Sequence, residues 1–159
     1  MKEAMLYEKL SESKVKCNLC NHRCMIKDGR YGICGVRHNI GGTLFSLVYD
    51  KVVALNIDPI EKKPIFQLFP GSKSYSIATV GCNFKCKHCQ NSDISQFSKD
   101  KDQHVIGYKI EPRQIVKEAA GSGCKSIAYT YTEPTIFFEY AYDCAKLAHD
   151  HQDCPRAQQ

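Results

Sequence analysis

The chain has 159 residues, the size of one ordinary domain, and its 43% hydrophobic and 25% charged content excludes an intrinsically disordered protein. Its net charge of +5 is carried by lysines that are scattered apart from short pairs such as Lys62–Lys63 and Lys85/Lys87, too thin for a contiguous nucleic-acid patch. No stretch approaches the roughly 18 apolar residues of a membrane span, and the opening MKEAMLYEKLSESK lacks the apolar core of a signal peptide.

In chain order, residues 1–16 read as a short leading helix or tail. Residues 17–38 read as a cysteine-bearing loop in which Gly29, Gly32 and Gly35 supply tight turns. Two runs rich in β-branched and aromatic residues follow, Thr43–Tyr49 and Val52–Ile57; the short gap at Asp50–Lys51 predicts that they form a β-hairpin. The segment Asp58–Gly71 holds Pro59, Pro64 and Pro70 and reads as an ordered loop without regular structure.

From residue 74 the pattern changes. Tyr75–Val80 (YSIATV) reads as a buried strand running into Gly81. Pro112–Ala120 reads as a helix, with proline in the first turn, Gly121 as its stop, and Ile115, Val116, Ala119 and Ala120 on one face. Ser126–Tyr131 (SIAYTY) reads as a second strand. After Glu133–Pro134 comes a helix with Ile136, Phe137, Tyr140, Ala141, Cys144, Leu147 and Ala148 as its apolar face. The expected organisation is a cysteine-rich segment with a hairpin over 1–73, an α/β core over 74–150 and a polar tail over 151–159. Two strands joined by a helical crossover lie parallel in one sheet, so their carboxyl ends share the edge where α/β folds place ligands. That topology brings Cys82, Cys86, Cys89 and Glu133 into one neighbourhood.

Ten cysteines make up about 6% of the chain, below the roughly 8–10% of a disulfide scaffold. They fall into a first group, Cys17, Cys20, Cys24 and Cys34, a second group, Cys82, Cys86 and Cys89, and the lone Cys124, Cys144 and Cys154. Without an export signal, clustered thiols read as metal ligands of a cytoplasmic protein rather than as disulfides. The first group offers the four ligands of a closed structural zinc site, with His22 and His38 as spare candidates. The second offers three, the number that holds a four-iron cluster and leaves one iron open; an incomplete zinc knuckle using His88 is the alternative. Its spacing differs from the ferredoxin run, and Gln90, not proline, follows Cys89.

The run GCNFKCKHCQN (81–91) resembles the cluster-binding loop of radical S-adenosylmethionine (SAM) enzymes. More narrowly, CNLCNHRCMIKDGRYGICGVRHN (17–39), DPIEKKPIFQLFPGS (58–72) and YTYTEPT (129–135) resemble the AmmeMemoRadiSam-system radical SAM proteins, relatives of the pyruvate formate-lyase activating enzymes. The resemblance implies an α/β fold of the partial radical SAM β/α barrel type, here its first two strand–helix units. It implies that Cys82, Cys86 and Cys89 hold three irons of a [4Fe–4S] cluster whose fourth iron is chelated by SAM. Reductive cleavage of SAM would then give a 5′-deoxyadenosyl radical that abstracts a hydrogen atom from a substrate. His88 falls where the superfamily usually has an aromatic side chain near the adenine. Glu133 falls in a Gly-Gly-Glu-Pro-like position facing the SAM amino group; as an alternative it simply opens a helix. Implied partners are SAM, an electron donor and Memo-like or AMMECR1-like proteins. The first cysteine group would hold zinc or a second iron–sulfur cluster, with a structural metal preferred.

Radical SAM cores of this kind resemble a barrel of about six strand–helix units, and the tail HQDCPRAQQ reads as no further strand. The chain is therefore expected to be a truncated or frameshifted version of a protein about twice as long, with an open sheet edge and weak SAM binding. The competing functions are a noncatalytic zinc or iron–sulfur module and an electron-transfer protein using both cysteine groups.

Overall fold

The computed structural model describes residues 1–97 and 105–150. At its centre is a three-stranded sheet in the order β11-β9-β8. Strand β9 (Lys73–Ala78) lies between β8 (Ala54–Pro59), antiparallel to it, and β11 (Cys124–Tyr129), parallel to it. A strand flanked on both sides needs no polar outer face, and Ser74 to Ala78 are all buried. Parallel pairing requires a crossover. It includes α1 (Ser92–Ser95), a single turn, β10 (Tyr108–Lys109) and α2 (Pro112–Gly121). The expected parallel pair and its two following helices are thus present.

Helix α2 starts as expected, with Pro112 in its first turn, but it runs through Gly121. The stop is Gly123, whose φ of +68° places it in the left-handed region that closes helices, with its N–H donating to the Ala120 carbonyl. Beyond β11, a 3-10 turn (Pro134–Phe137) leads into α3 (Phe138–Asp150). Ile115 and Ala119 of α2 meet Ile136, Phe137, Tyr140 and Cys144 in the main core, over Tyr75 and Ile77 of β9. The far edge of β11 borders a small apolar groove of about 260 Å³ between α2 and α3, lined in part by Val116, Ala119, Ile127 and Ala148. The described residues therefore leave that strand edge unpaired, as anticipated for two strand–helix units.

The amino-terminal half departs from expectation in two places. Residues 1–16 form no helix: they hold β1 (Lys2–Glu3), β2 (Tyr7–Lys9) and β3 (Val15–Cys17). Helix propensity is a weak prior, and here cross-strand partners outweigh it, with Lys2 and Glu3 paired to Ser46 and Phe45.

The predicted hairpin between Thr43–Tyr49 and Val52–Ile57 also does not form. Strand β6 (Thr43–Ser46) turns back on β5 (Arg37–Ile40) through Gly41–Gly42. These two glycines have φ values of +59° and +82°, the signature of the tight two-residue hairpin turn. With β6 taken, β7 (Lys51–Val52) pairs with β10 and β8 joins β9. The remaining small sheet is β2-β3-β4, closed by β4 (Met25–Ile26). The segment after β8 behaves as read, a 3-10 turn (Ile60–Lys62) followed by irregular loop.

A buried ion pair helps tie the two halves together. Arg37 of β5 and Glu139 of α3 are 1% and 0% exposed. The Arg37 guanidinium donates to both Glu139 carboxylate oxygens, at 2.8 and 2.6 Å, and the Met5 N–H donates to Oε1 at 2.9 Å. A buried carboxylate is tolerated only with such saturation. No helix among the described residues is long and apolar enough to cross a membrane. The tail over 151–159, including Cys154, lies outside the described residues.

Candidate functional site

Strand β9 ends at Ala78, and the chain leaves the sheet edge through Thr79 and Val80 into the loop 81–91. Strand β11 ends beside it, and Thr132 at its exit donates its hydroxyl to the Thr79 carbonyl at 3.1 Å. The parallel register thus fixes the two loops side by side, and Asn91 Nδ2 donates to the Tyr131 carbonyl at 3.0 Å. Tyr131 has a φ of +65°, an uncommon conformation for a bulky side chain that these two contacts flank.

All three loop cysteines are free thiols: Cys82 is buried, Cys89 half-buried and Cys86 exposed. The Phe84 N–H donates to Cys82 Sγ at 3.4 Å, and Cys89 Sγ lies 3.2 Å from Ser95 Oγ. Among the described residues, no three His, Cys, Asp or Glu side chains are gathered tightly enough to hold a single metal ion. A multi-iron cluster spreads its thiolate ligands over separate metal corners, so this finding concerns mononuclear sites. On donor chemistry, three unlinked thiols on one loop, the residues fit an iron–sulfur cluster.

Beside the loop opens a cleft of about 740 Å³. Asn83, Phe84 and Lys85 form one wall, Glu133 and Thr135 a second, and Cys20 and His22 from the amino-terminal layer a third. The topology therefore brings Glu133 to the cysteine loop, as expected from strand order. Its Oε1 accepts from the Thr135 hydroxyl at 2.6 Å and, at 3.4 Å, from the Thr135 N–H, capping the 3-10 turn. Glu133 thus both opens a helical turn and lines the cleft. His88 is an exposed loop residue.

Sequence reasoning missed Asn83 and Asp58, and it did not foresee the contact that His22 makes. His22 Nε2 lies 2.8 Å from the Asn83 carbonyl, so the ring donates there and docks the amino-terminal layer onto the cysteine loop. Asn83 itself is only 8% exposed and its Oδ1 has no hydrogen-bond partner. His38, the other spare metal candidate, is stacked on Tyr31 with ring centroids 4.1 Å apart. Asp58 lies on β8. Its carboxylate accepts from Lys62, Lys63, Ser76 and Tyr131, at 2.6 to 2.8 Å. The Asp-x3-Lys-Lys run was a possible signal for it.

Burial alone would push the Asp58 carboxyl up, but the hydrogen bonds from Lys62, Lys63, Tyr131 and Ser76 outweigh it and hold the group well below the usual carboxylate range. A carboxyl lowered in the folded state contributes stability above its unfolded value, near pH 4, and loses it as pH falls further. The stability gap between the native chain and Asp58→Asn is therefore expected to shrink steadily between pH 5 and pH 2 in urea titrations.

A cysteine-bearing loop after a buried strand, with an acidic residue at the end of the neighbouring parallel strand, is the layout of an α/β domain built around a metal–sulfur cofactor. The radical SAM superfamily model matches residues 76–155, and the chain belongs to that superfamily. It is 48% identical over 151 residues to uncharacterized protein MJ0808 of Methanocaldococcus jannaschii, covering 94% of this chain and 44% of that protein. It is 33% identical over 104 residues to uncharacterized protein MJ0674 of the same organism, covering 64% of this chain and 25% of that one. The chain thus spans less than half the length of these curated relatives. No solved structure matches it.

Proposed function

We propose that this chain forms the cluster-binding part of a radical SAM enzyme of the AmmeMemoRadiSam type, related to the pyruvate formate-lyase activating enzymes. Cys82, Cys86 and Cys89 would hold three irons of a [4Fe–4S] cluster, with SAM in the adjoining cleft. When bound, that pair supplies one-electron cleavage of the sulfonium and a 5′-deoxyadenosyl radical for hydrogen abstraction. The observation that carries the reading is the single cleft shared by the cysteine loop and Glu133.

The chain's own residues bind and orient. Glu133 offers a carboxylate to an ammonium group, a charge-assisted contact stronger than a neutral one. Its existing bond to Thr135 fixes the direction of one oxygen and leaves Oε2 for a ligand. Phe84, 52% exposed beside the cleft, offers an apolar ring face, and exposed His88 would stack on adenine. Lys85 and Lys87 flank Cys86 in the loop. The substrate is unassigned. An external electron donor and Memo-like or AMMECR1-like proteins are the proposed partners, and the complete enzyme is proposed to extend well beyond this chain's length, as the relatives do.

The test is electron paramagnetic resonance of the reduced, reconstituted protein with and without SAM. A signal perturbed by SAM is expected, because the fourth iron would have no protein ligand. An unperturbed but reversible signal would indicate an electron-transfer protein, and a colourless zinc protein would indicate a noncatalytic module.

A further inference from the structure

The loop 81–91 accounts for three of the clustered cysteines and leaves a tetrad, of which Cys20 lines the cleft. Cys17 and Cys34 are buried, and Cys20 and Cys24 are half-buried. Strands β3 and β4 pair Val15 with Ile26 and Lys16 with Met25. The Cys17 N–H then donates to the Cys24 carbonyl at 2.9 Å, so these two cysteines stand opposite each other. Cys20 opens the turn that the Arg23 N–H closes on its carbonyl at 3.1 Å. Cys34 approaches from the segment before β5, and Cys17 lies within electrostatic reach of Cys20, Cys24 and Cys34.

The tetrad also straddles two cores. Cys34 belongs to the main core, whereas Cys17 belongs to a small one whose other buried members are Ala4, Val15, Ile26 and Leu44. Strands β1 to β4 are two or three residues long. So small an apolar cluster on such short strands is the circumstance in which a covalent or metal staple supplies what the core cannot.

We propose that Cys17, Cys20, Cys24 and Cys34 bind one zinc ion in a closed tetrathiolate site that staples the amino-terminal β layer to the main core. Four thiolates complete a tetrahedron and leave no open position, the pattern of a structural site. Zinc–sulfur bonds of about 2.3 Å place sulfurs roughly 3.8 Å apart. Side chains directly opposite on a hairpin start about 4.5–5.5 Å apart at Cβ, a spacing from which two thiols converge on one ion rather than on separate corners of a cluster. Among the described residues no three of these thiols are gathered around one point, so the site would form only as the ion draws the half-buried Cys20 and Cys24 side chains inward. The staple would also position the cleft, because the turn it holds carries Cys20 and His22, and His22 is bonded to Asn83.

The experiment uses the full 159-residue chain carrying Cys82→Ala, Cys86→Ala and Cys89→Ala, which removes the thiols of the cluster loop. The protein is purified anaerobically, incubated with zinc alone and desalted. One zinc per chain should remain, in a colourless protein whose zinc X-ray absorption shows four sulfurs at about 2.3 Å. Adding Cys34→Ser should lower retained zinc at least tenfold. Zinc lost on desalting, a shell containing nitrogen or oxygen, or a brown iron-bearing protein would overturn the proposal. If the Cys34→Ser protein fails to fold, the sulfur shell of the parent decides. Because the parent has no cluster loop thiols, the result is independent of whether SAM is ever bound.

Discussion

Cys86→Ala is expected to abolish the brown chromophore of the reconstituted protein while leaving the fold intact. Of the three loop thiols, Cys86 alone is exposed. Its replacement opens no cavity and strands no buried polar group, which are the usual sources of large destabilisation. Cys82 would be a poorer probe, since it is buried and accepts the Phe84 N–H. Two remaining thiolates cannot hold a cluster that needs at least three. Iron at this site should fall from about four per chain to near zero, and the SAM-dependent change in the resonance signal should vanish with it. Anaerobic iron assay, resonance spectra and circular dichroism check the three parts separately. A retained, SAM-sensitive signal would remove Cys86 from the ligand set.

Glu139→Leu should cost about 3–5 kcal/mol of folding stability, the range for stripping one partner from a buried ion pair. The Arg37 guanidinium would be left in the core with its charge uncompensated, and its Nε already lacks a hydrogen-bond partner. The Met5 N–H would lose its acceptor as well. For a domain whose total stability is about 5–15 kcal/mol, that loss is large. Combining it with Arg37→Met should recover much of the deficit, because two apolar side chains of similar volume restore a satisfied interior. Urea unfolding of the two single variants and the double variant measures the coupling. Single variants that each lose less than 1 kcal/mol would show that the pair is not sealed from water.

The carboxyl half was legible because its signals are local. YSIATV, the proline-led helix and SIAYTY each carry their own periodicity, and parallel pairing follows from the crossover. That Glu133 lines a cleft with Asn83, Phe84 and Lys85 of the cysteine loop was readable for the same reason. Strand partners in the amino-terminal half were not, because pairing is a long-range choice. Thr43–Ser46 could join either flank, and the Gly41–Gly42 turn, passed over in favour of Asp50–Lys51, decided it. The short strands before Cys17 exist only through their partners. Buried charge was the least visible: nothing in the spacing of Arg37 and Glu139, 102 residues apart, marks them as a pair. His22 was noticed as a spare metal ligand, but its bond to Asn83 was not foreseen.

The contacts of α3 carry a consequence for the order of events during synthesis. Met5 and Arg37 both close on Glu139, and Lys2 pairs with Asp143. At about 5–20 residues per second, the ribosome releases the first strands several seconds before their counterparts in that helix exist. Their strand pairings with β3 and β6 can form early, but their contacts to α3 must wait. Until then the nascent chain must carry an unpaired arginine and a row of reduced thiols in the open.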